Sequence, residues 1–375
     1  MKNKSLNLGQ GLSMQRLNGN GKEQGFYMPA QWMPHQLTIL AFPFGEEEWQ
    51  GGLAEVRLEF TAFLRQILAD EPVLLIVDPT EKETFAEVQG SMQPSLSNMA
   101  NLRVVTLPLD DVWMRDIAPI HLVSKDSEQL IPVKWQFNGW GGKFPHHQDC
   151  AVGYPLMELM GVSNFFDVPI ILEGGAVDVD GKGNGITTRS CLLSPHRSGL
   201  DEPQFSQIIK DYFGLEKLIW LDAGLVDDHT DGHIDMVARF TPSGHILMNH
   251  TDNPENHHFH VLKENCQALS QEFGASLLVC LPLPQETIEK AVNHDFTELA
   301  CANYANFYAT TRSVIVPAFA DPMDEVARSI IASCFPNHKV VSSSARSILQ
   351  YGGGIFNCLA QQVPQGRWGE PSTDK

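Results

Sequence analysis

No stretch of this sequence reaches the roughly 18 consecutive apolar residues of a membrane-spanning helix, and its first 24 residues lack the apolar run of a secretory leader. Cysteine is sparse and unpaired in pattern: there are seven, an odd number, with no CxxC spacing. That argues against a disulfide framework and a structural zinc site, and leaves a reduced, cytoplasmic protein as the expectation. Positive charge is short as well. Lys and Arg total 26 against 45 Asp and Glu, a formal charge of −19. Such a field repels nucleic-acid phosphates and anionic lipid and favours a cationic small molecule. Hydrophobic residues make up 43%, enough for a large core.

Amphipathic segments recur, each followed by a short β-type run. They begin at Leu53, Val152, Pro203, His257 and Asp321, and the runs are "PVLLIVD", "VPIIL", "KLIWLD", "SLLVCLP" and "KVVSSS". "TEKETFAEVQGSM" predicts a further helix. Most strand starts lie about 50–60 residues apart. The fold class is α/β. Five repeats closing on themselves would give a five-bladed α/β propeller, while alternation alone favours an open sheet. The expected organisation is a flexible segment over 1–24, one catalytic domain over 25–365 and a polar tail over 366–375.

Four motifs hold polar residues where chains usually bury apolar ones. "DDVWMRDIAP" sets Asp116 near Trp113 and Arg115. It reads either as a strand-entry turn with a salt bridge or as a carboxylate beside an aromatic wall for a flat cation. In "ILEGGAVDVDGKGNGITT", Glu173 ends an apolar run before a predicted hairpin, and a buried glutamate needs a histidine or cation as partner. In "DDHTDGHIDMVARF", His233 and Asp235 are two apart and would share one face of a strand. In "GGGIFNCLAQQVP", the glycines, Gly353 and Gly354 among them, permit close backbone approach or an anion nest beside Cys358, and "QQ" offers supporting amides. "HHFH" (His257, His258, His260) begins a helix on which its histidines face different ways, which argues against a metal site, and "GEEEWQGG" reads as a solvated turn.

Together with "MPAQWMPH" and "FNGWGGK", and in the same order along the chain, these motifs resemble the agmatine deiminase and bacterial-type peptidylarginine deiminase family of the pentein superfamily. The resemblance implies a five-bladed α/β propeller and hydrolysis of a guanidine to a ureido group and ammonia, with no metal or organic cofactor. It assigns Cys358 as nucleophile, His233 as general acid/base and Glu173 as the carboxylate holding that histidine. Asp116 and Asp235 would grip the guanidinium, with Trp113, Gly353 and Gly354 lining the pocket. Agmatine is the first substrate implied. Peptidyl or free arginine is the alternative, with amidino transfer and non-catalytic binding as further ones. A homo-oligomer is left open. The chain departs from the usual family pattern at Ile117, Ala118, Asp178, His229, Asn357 and Ala360.

Overall fold

A computed structural model describes residues 14–86, 99–292 and 295–369. The strands form several separate sheets rather than one open sheet, and five of them repeat one pattern. In each, a first strand pairs antiparallel with a second, which pairs parallel with a third. The first strands are Gln361–Pro364, Ile120–Ser124, Val177–Val179, Ala238–Phe240 and Tyr308–Ala309. A parallel pair needs a crossover, and a helix supplies it in every case: Leu53–Leu68, Asp149–Leu159, Glu202–Phe213, Phe259–Phe273 and Asp324–Cys334. These are the five amphipathic segments read from the sequence. "TEKETFAEVQGSM" runs partly outside the described residues.

The helices form where their apolar spacing can be buried. Leu53, Val56, Phe60, Phe63, Leu64 and Ile67 make one buried stripe on the first. The third starts on a capping box, Asp201 with Gln204, and stops at Gly214, whose φ of 67° suits glycine. Its buried face, Phe205, Ile209 and Phe213, packs into an apolar cluster with Ile131, Val133 and Phe166.

Residues 1–13 and 370–375, parts of the expected flexible segment and tail, lie outside the described residues. Two short pairings fall beyond the 25–365 span: Gln15–Arg16 with Asn164–Phe165, and Arg367–Trp368 with Gln129–Leu130. Among the described residues no helix is long and apolar enough to cross a membrane.

Candidate active site

The repeat explains where the polar motifs go. Just before its first strand, each unit makes a short turn, and that turn carries buried polar side chains. Asp116 sits in Met114–Ile117, Glu173 precedes Gly174–Ala176, and Cys358 sits in Phe356–Leu359. His233 and Asp235 sit at and within the 3-10 turn Ile234–Met236. Asn306 comes from the fifth unit, two residues before its first strand. Cys358, Asp116, Glu173, His233 and Asp235 are each at most 6% exposed.

Gly175 shows how closely they meet. A Cβ there would fall 2.5 Å from His233 Nδ1 and 3.1 Å from both Asp116 Oδ1 and Asp235 Oδ2. Only glycine fits beneath these three groups. Asp116 Oδ1 accepts from the Gly175 N–H at 2.9 Å, and Oδ2 accepts from Trp140 Nε1 at 2.9 Å. His233 Nδ1 lies 3.8 Å from Asp116 Oδ2. Cys358 Sγ lies 3.4 Å from Asn306 Oδ1 and 3.9 Å from Asp235 Oδ2. Asn306 Oδ1 also accepts the backbone N–H groups of Asn357 and Cys358, at 3.0 and 3.3 Å.

Electrostatics follow from burial and from clustered like charge. Burial, with Asp235 adding and His233 opposing, pushes Asp116 up to about 6. Burial works against a charged His233, yet Asp116, Cys191 and Asp235 carry its pKa well above the ordinary histidine value. Burial first, then Asp235 and Asp116, pushes the Cys358 thiol well above its usual range. Without a bound cation the thiol therefore rests protonated.

Several local expectations change. The strand predicted to put His233 and Asp235 on one face begins only at Ala238; a 3-10 turn brings the two side chains to the same pocket instead. "DDVWMRD" is a strand-entry turn, its end wound into the one-turn helix Met114–Ile117 just before Ile120–Ser124, but among the described residues no salt bridge holds Arg115. Its guanidinium donates to the Asn357 carbonyl and to Oε1 of Gln361 and Gln362. The glycines before Cys358 make room for indoles. A Cβ on Gly352 would lie 2.5 Å from Trp49, and one on Gly354 2.5 Å from Trp113. Only Gly353 among the three has positive φ, 80°. In "GEEEWQGG" the three glutamates are exposed, but Trp49 is buried against Trp113 at 5.9 Å. His257 pairs with Asp227 at 2.8 Å, and His258 accepts from the Val226 N–H. Trp113, Gly353 and Gly354 line one cavity with Cys358 and Asp116.

The departures have local partners. Asn357 Nδ2 donates to Asp235 Oδ2 at 2.6 Å, and Asn357 Oδ1 accepts from Gln31. Asp178 pairs with Arg239 at 2.9 Å. Ile117, Ala118 and Ala360 are buried apolar positions. His229 lines the cavity mouth, edge-on to Trp140 and Phe144. Sequence reasoning missed Asn306, Arg197 and Cys191. Arg197 Nε stands 2.8 Å from Glu173 Oε1 with both side chains wholly buried, so Glu173 has the cationic partner it needed. Asn306 could have been found by looking for the fifth unit's turn at the same place in the repeat.

Residues 27–364 match the Porphyromonas-type peptidyl-arginine deiminases as a family. The agmatine deiminase of Pseudomonas syringae pv. tomato is 31% identical, with 94% of this chain and 99% of the relative aligned. That of Pseudomonas fluorescens is 30% identical over 94% and 99%. Among solved structures, the agmatine deiminase of Enterococcus faecalis superposes with a TM-score of 0.85 at 27% identity, covering 94% of this chain and 99% of that one. The substrate-bound agmatine deiminase of C. jejuni gives 0.80 at 27%, covering 91% and 97%. The mixed α/β fold is thus that of the agmatine deiminases, and the chain belongs to the Porphyromonas-type peptidyl-arginine deiminase family.

Proposed function

We propose that the chain hydrolyses a guanidino compound, agmatine first among them, to the ureido product and ammonia through a covalent adduct on Cys358. One observation carries the reading: a thiol, a histidine and two carboxylates from three different units converge on one pocket. The five units close into a five-bladed propeller around that pocket, within a single catalytic domain spanning 25–365. A small cationic guanidine suits the net charge of −19 better than nucleic acid does. Residence in the cytoplasm fits the seven unpaired cysteines.

A guanidinium is planar and resists nucleophiles. Asp116 and Asp235 take its N–H donors in charge-assisted bonds and fix its plane. Burial first, and then Asp235 and Asp116, hold the Cys358 pKa high; the bound cation offsets the two carboxylates, so substrate binding favours loss of the thiol proton to solvent. Sulfur attacks the guanidino carbon. His233, protonated at rest, passes its proton to the departing nitrogen, and ammonia leaves. The S-alkylthiouronium then takes water, with neutral His233 removing the proton. Collapse of that adduct expels the thiolate and frees the ureido product. Glu173, paired with Arg197, lies beside His233 and backs the charged ring that Asp116 favours most.

A second reading concerns the substrate tail. Among the described residues Lys290 makes no ion pair, and its Cε comes 3.3 Å from a Cβ placed on Gly353, beside the His229 ring. A cation there favours a tail with a carboxylate, as in free arginine or a peptide ending in arginine. Ammonia release from agmatine, arginine and C-terminal peptidyl arginine, with and without an added amine, tests both readings. Release from agmatine without an amine acceptor supports hydrolysis, and preference for the acids supports the Lys290 reading. Product that forms only with added amine indicates amidino transfer. No turnover of any guanidine overturns the proposal.

A further inference from the structure

Cys191 has no part in the reaction above, yet it lies against the catalytic histidine. Its side chain is wholly buried, as are Glu173 and His233. One donor atom from each of the three lies within 4.8 Å of the other two, the one such group of His, Cys, Asp and Glu among the described residues. Three points no more than 4.8 Å apart have a centre at most about 2.8 Å from each. The bonds of zinc to sulfur, imidazole and carboxylate span roughly 2.0–2.3 Å, so a shift of well under about 1 Å per group would close the site. The His233 ring nitrogens are buried with no hydrogen-bond partner beyond the Cys191 thiol beside them, and Glu173 Oε2 with none, while Oε1 is paired with Arg197. Buried polar atoms of that kind are seldom left so.

We propose that Glu173, Cys191 and His233 form a binding site for a soft divalent cation of the zinc type, and that its occupation switches the enzyme off by taking His233. The donor set is thiolate, imidazole and carboxylate, the mixture that zinc selects over magnesium or calcium. Charge closes around it. The metal's two positive charges and Arg197 meet the Cys191 thiolate, Glu173 and Asp116, the last 3.8 Å from His233 Nδ1. Arg197 keeps Asp231 and the Thr230 carbonyl as partners when the carboxylate turns to the metal. Binding releases the Cys191 proton and the proton His233 otherwise holds, so affinity rises with pH.

The cation site does not depend on the deiminase reading; only its inhibitory effect does. The test titrates metal-free protein with Co²⁺ and follows the thiolate-to-cobalt absorption band, with Zn²⁺ as competitor. The proteins are wild type, Cys358→Ser, Cys191→Ser and Cys191→Ala, with circular dichroism to check folding. The band should form in wild type and in Cys358→Ser, and be lost from both Cys191 variants. Zn²⁺ affinity should drop tenfold or more in the latter. His233→Ala serves the same arm should neither Cys191 variant fold. A band that survives in folded Cys191 variants, that disappears with Cys358, or that is absent from wild type overturns the site. In parallel, Zn²⁺ should stop ammonia release from wild type, and a chelator should restore it. A band without turnover of any guanidine counts against the deiminase reading alone, and normal turnover without a band counts against the cation site alone.

Discussion

Asn357 Nδ2 donates to Asp235 Oδ2 across 2.6 Å, and that same oxygen lies 3.9 Å from the thiol of the next residue, Cys358. One of the positions at which the chain departs from the family pattern thus holds the carboxylate beside Cys358. Asn357→Ala leaves that buried oxygen and the Gln31 amide without their partners. A loss of about 1–3 kcal/mol in stability is expected, with a raised KM for the guanidine. Urea denaturation and steady-state ammonia release check both.

Trp140→Phe removes the indole N–H from Asp116. A hydrogen bond to a charged group contributes about 1.5–3 kcal/mol, so kcat/KM should drop about tenfold or more. The pH profile adds a sign. In the proposed mechanism Asp116 grips the cation only when ionised, and its pKa is pushed up to about 6, first by burial. Wild-type kcat/KM therefore falls as pH drops through 6, about tenfold per unit below it. Losing a donor to the ionised form raises the pKa further, so the acid limb of Trp140→Phe moves to higher pH.

Gly354→Ala tests whether that glycine exists to admit Trp113. Its Cβ would fall 2.5 Å from the indole, which is only 4% exposed and tilted against Trp49. The ring has no room to yield, and overpacking of this kind costs about 1–3 kcal/mol. Stability and kcat should both fall. Unchanged values would show that the indole can shift.

Asp149 predicts the alkaline side of stability. Burial, and then the Asp111 charge, push its pKa up to about 8. An unfolded aspartate titrates near 3.9, so folding takes up a proton between these values. The contribution is complete below about pH 4 and is lost as pH rises through 8. Wild-type stability measured from pH 5 to 9 should therefore decline, by at most about 1.4 kcal/mol per unit from this group. Asp149→Asn should show a shallower slope. An equal slope in both proteins would assign the proton elsewhere.

The five helices and the strands after them were legible because each carries one clean apolar stripe or run, as in Leu53–Leu68 and Val73–Val77. Asp116, Glu173, His233, Asp235 and Cys358 stood out within their motifs, but only the motifs taken together, through the family resemblance, pointed to their roles. The backbone beneath them was not legible. "IDMVARF" has strand-forming composition, but Asp235 sits in a 3-10 turn packed against Gly175 and bonded to Asn357, both from other units. Arg197 and Cys191 escaped notice because they reach Glu173 only once the hairpin between them folds back, and Asn306 because it meets Cys358 from another unit. Gly352 and Gly354 looked like an anion nest because sequence shows the missing Cβ and not the indole that fills its place.

The proposed covalent role of Cys358 is tested most directly by acid-quenching an early time point with saturating agmatine, and with arginine in parallel, and weighing the intact protein. The predicted result is a mass gain equal to substrate minus ammonia, mapped to the peptide containing Cys358 and absent from Cys358→Ser. Turnover by Cys358→Ser at the wild-type rate, or an adduct on another residue, would contradict it.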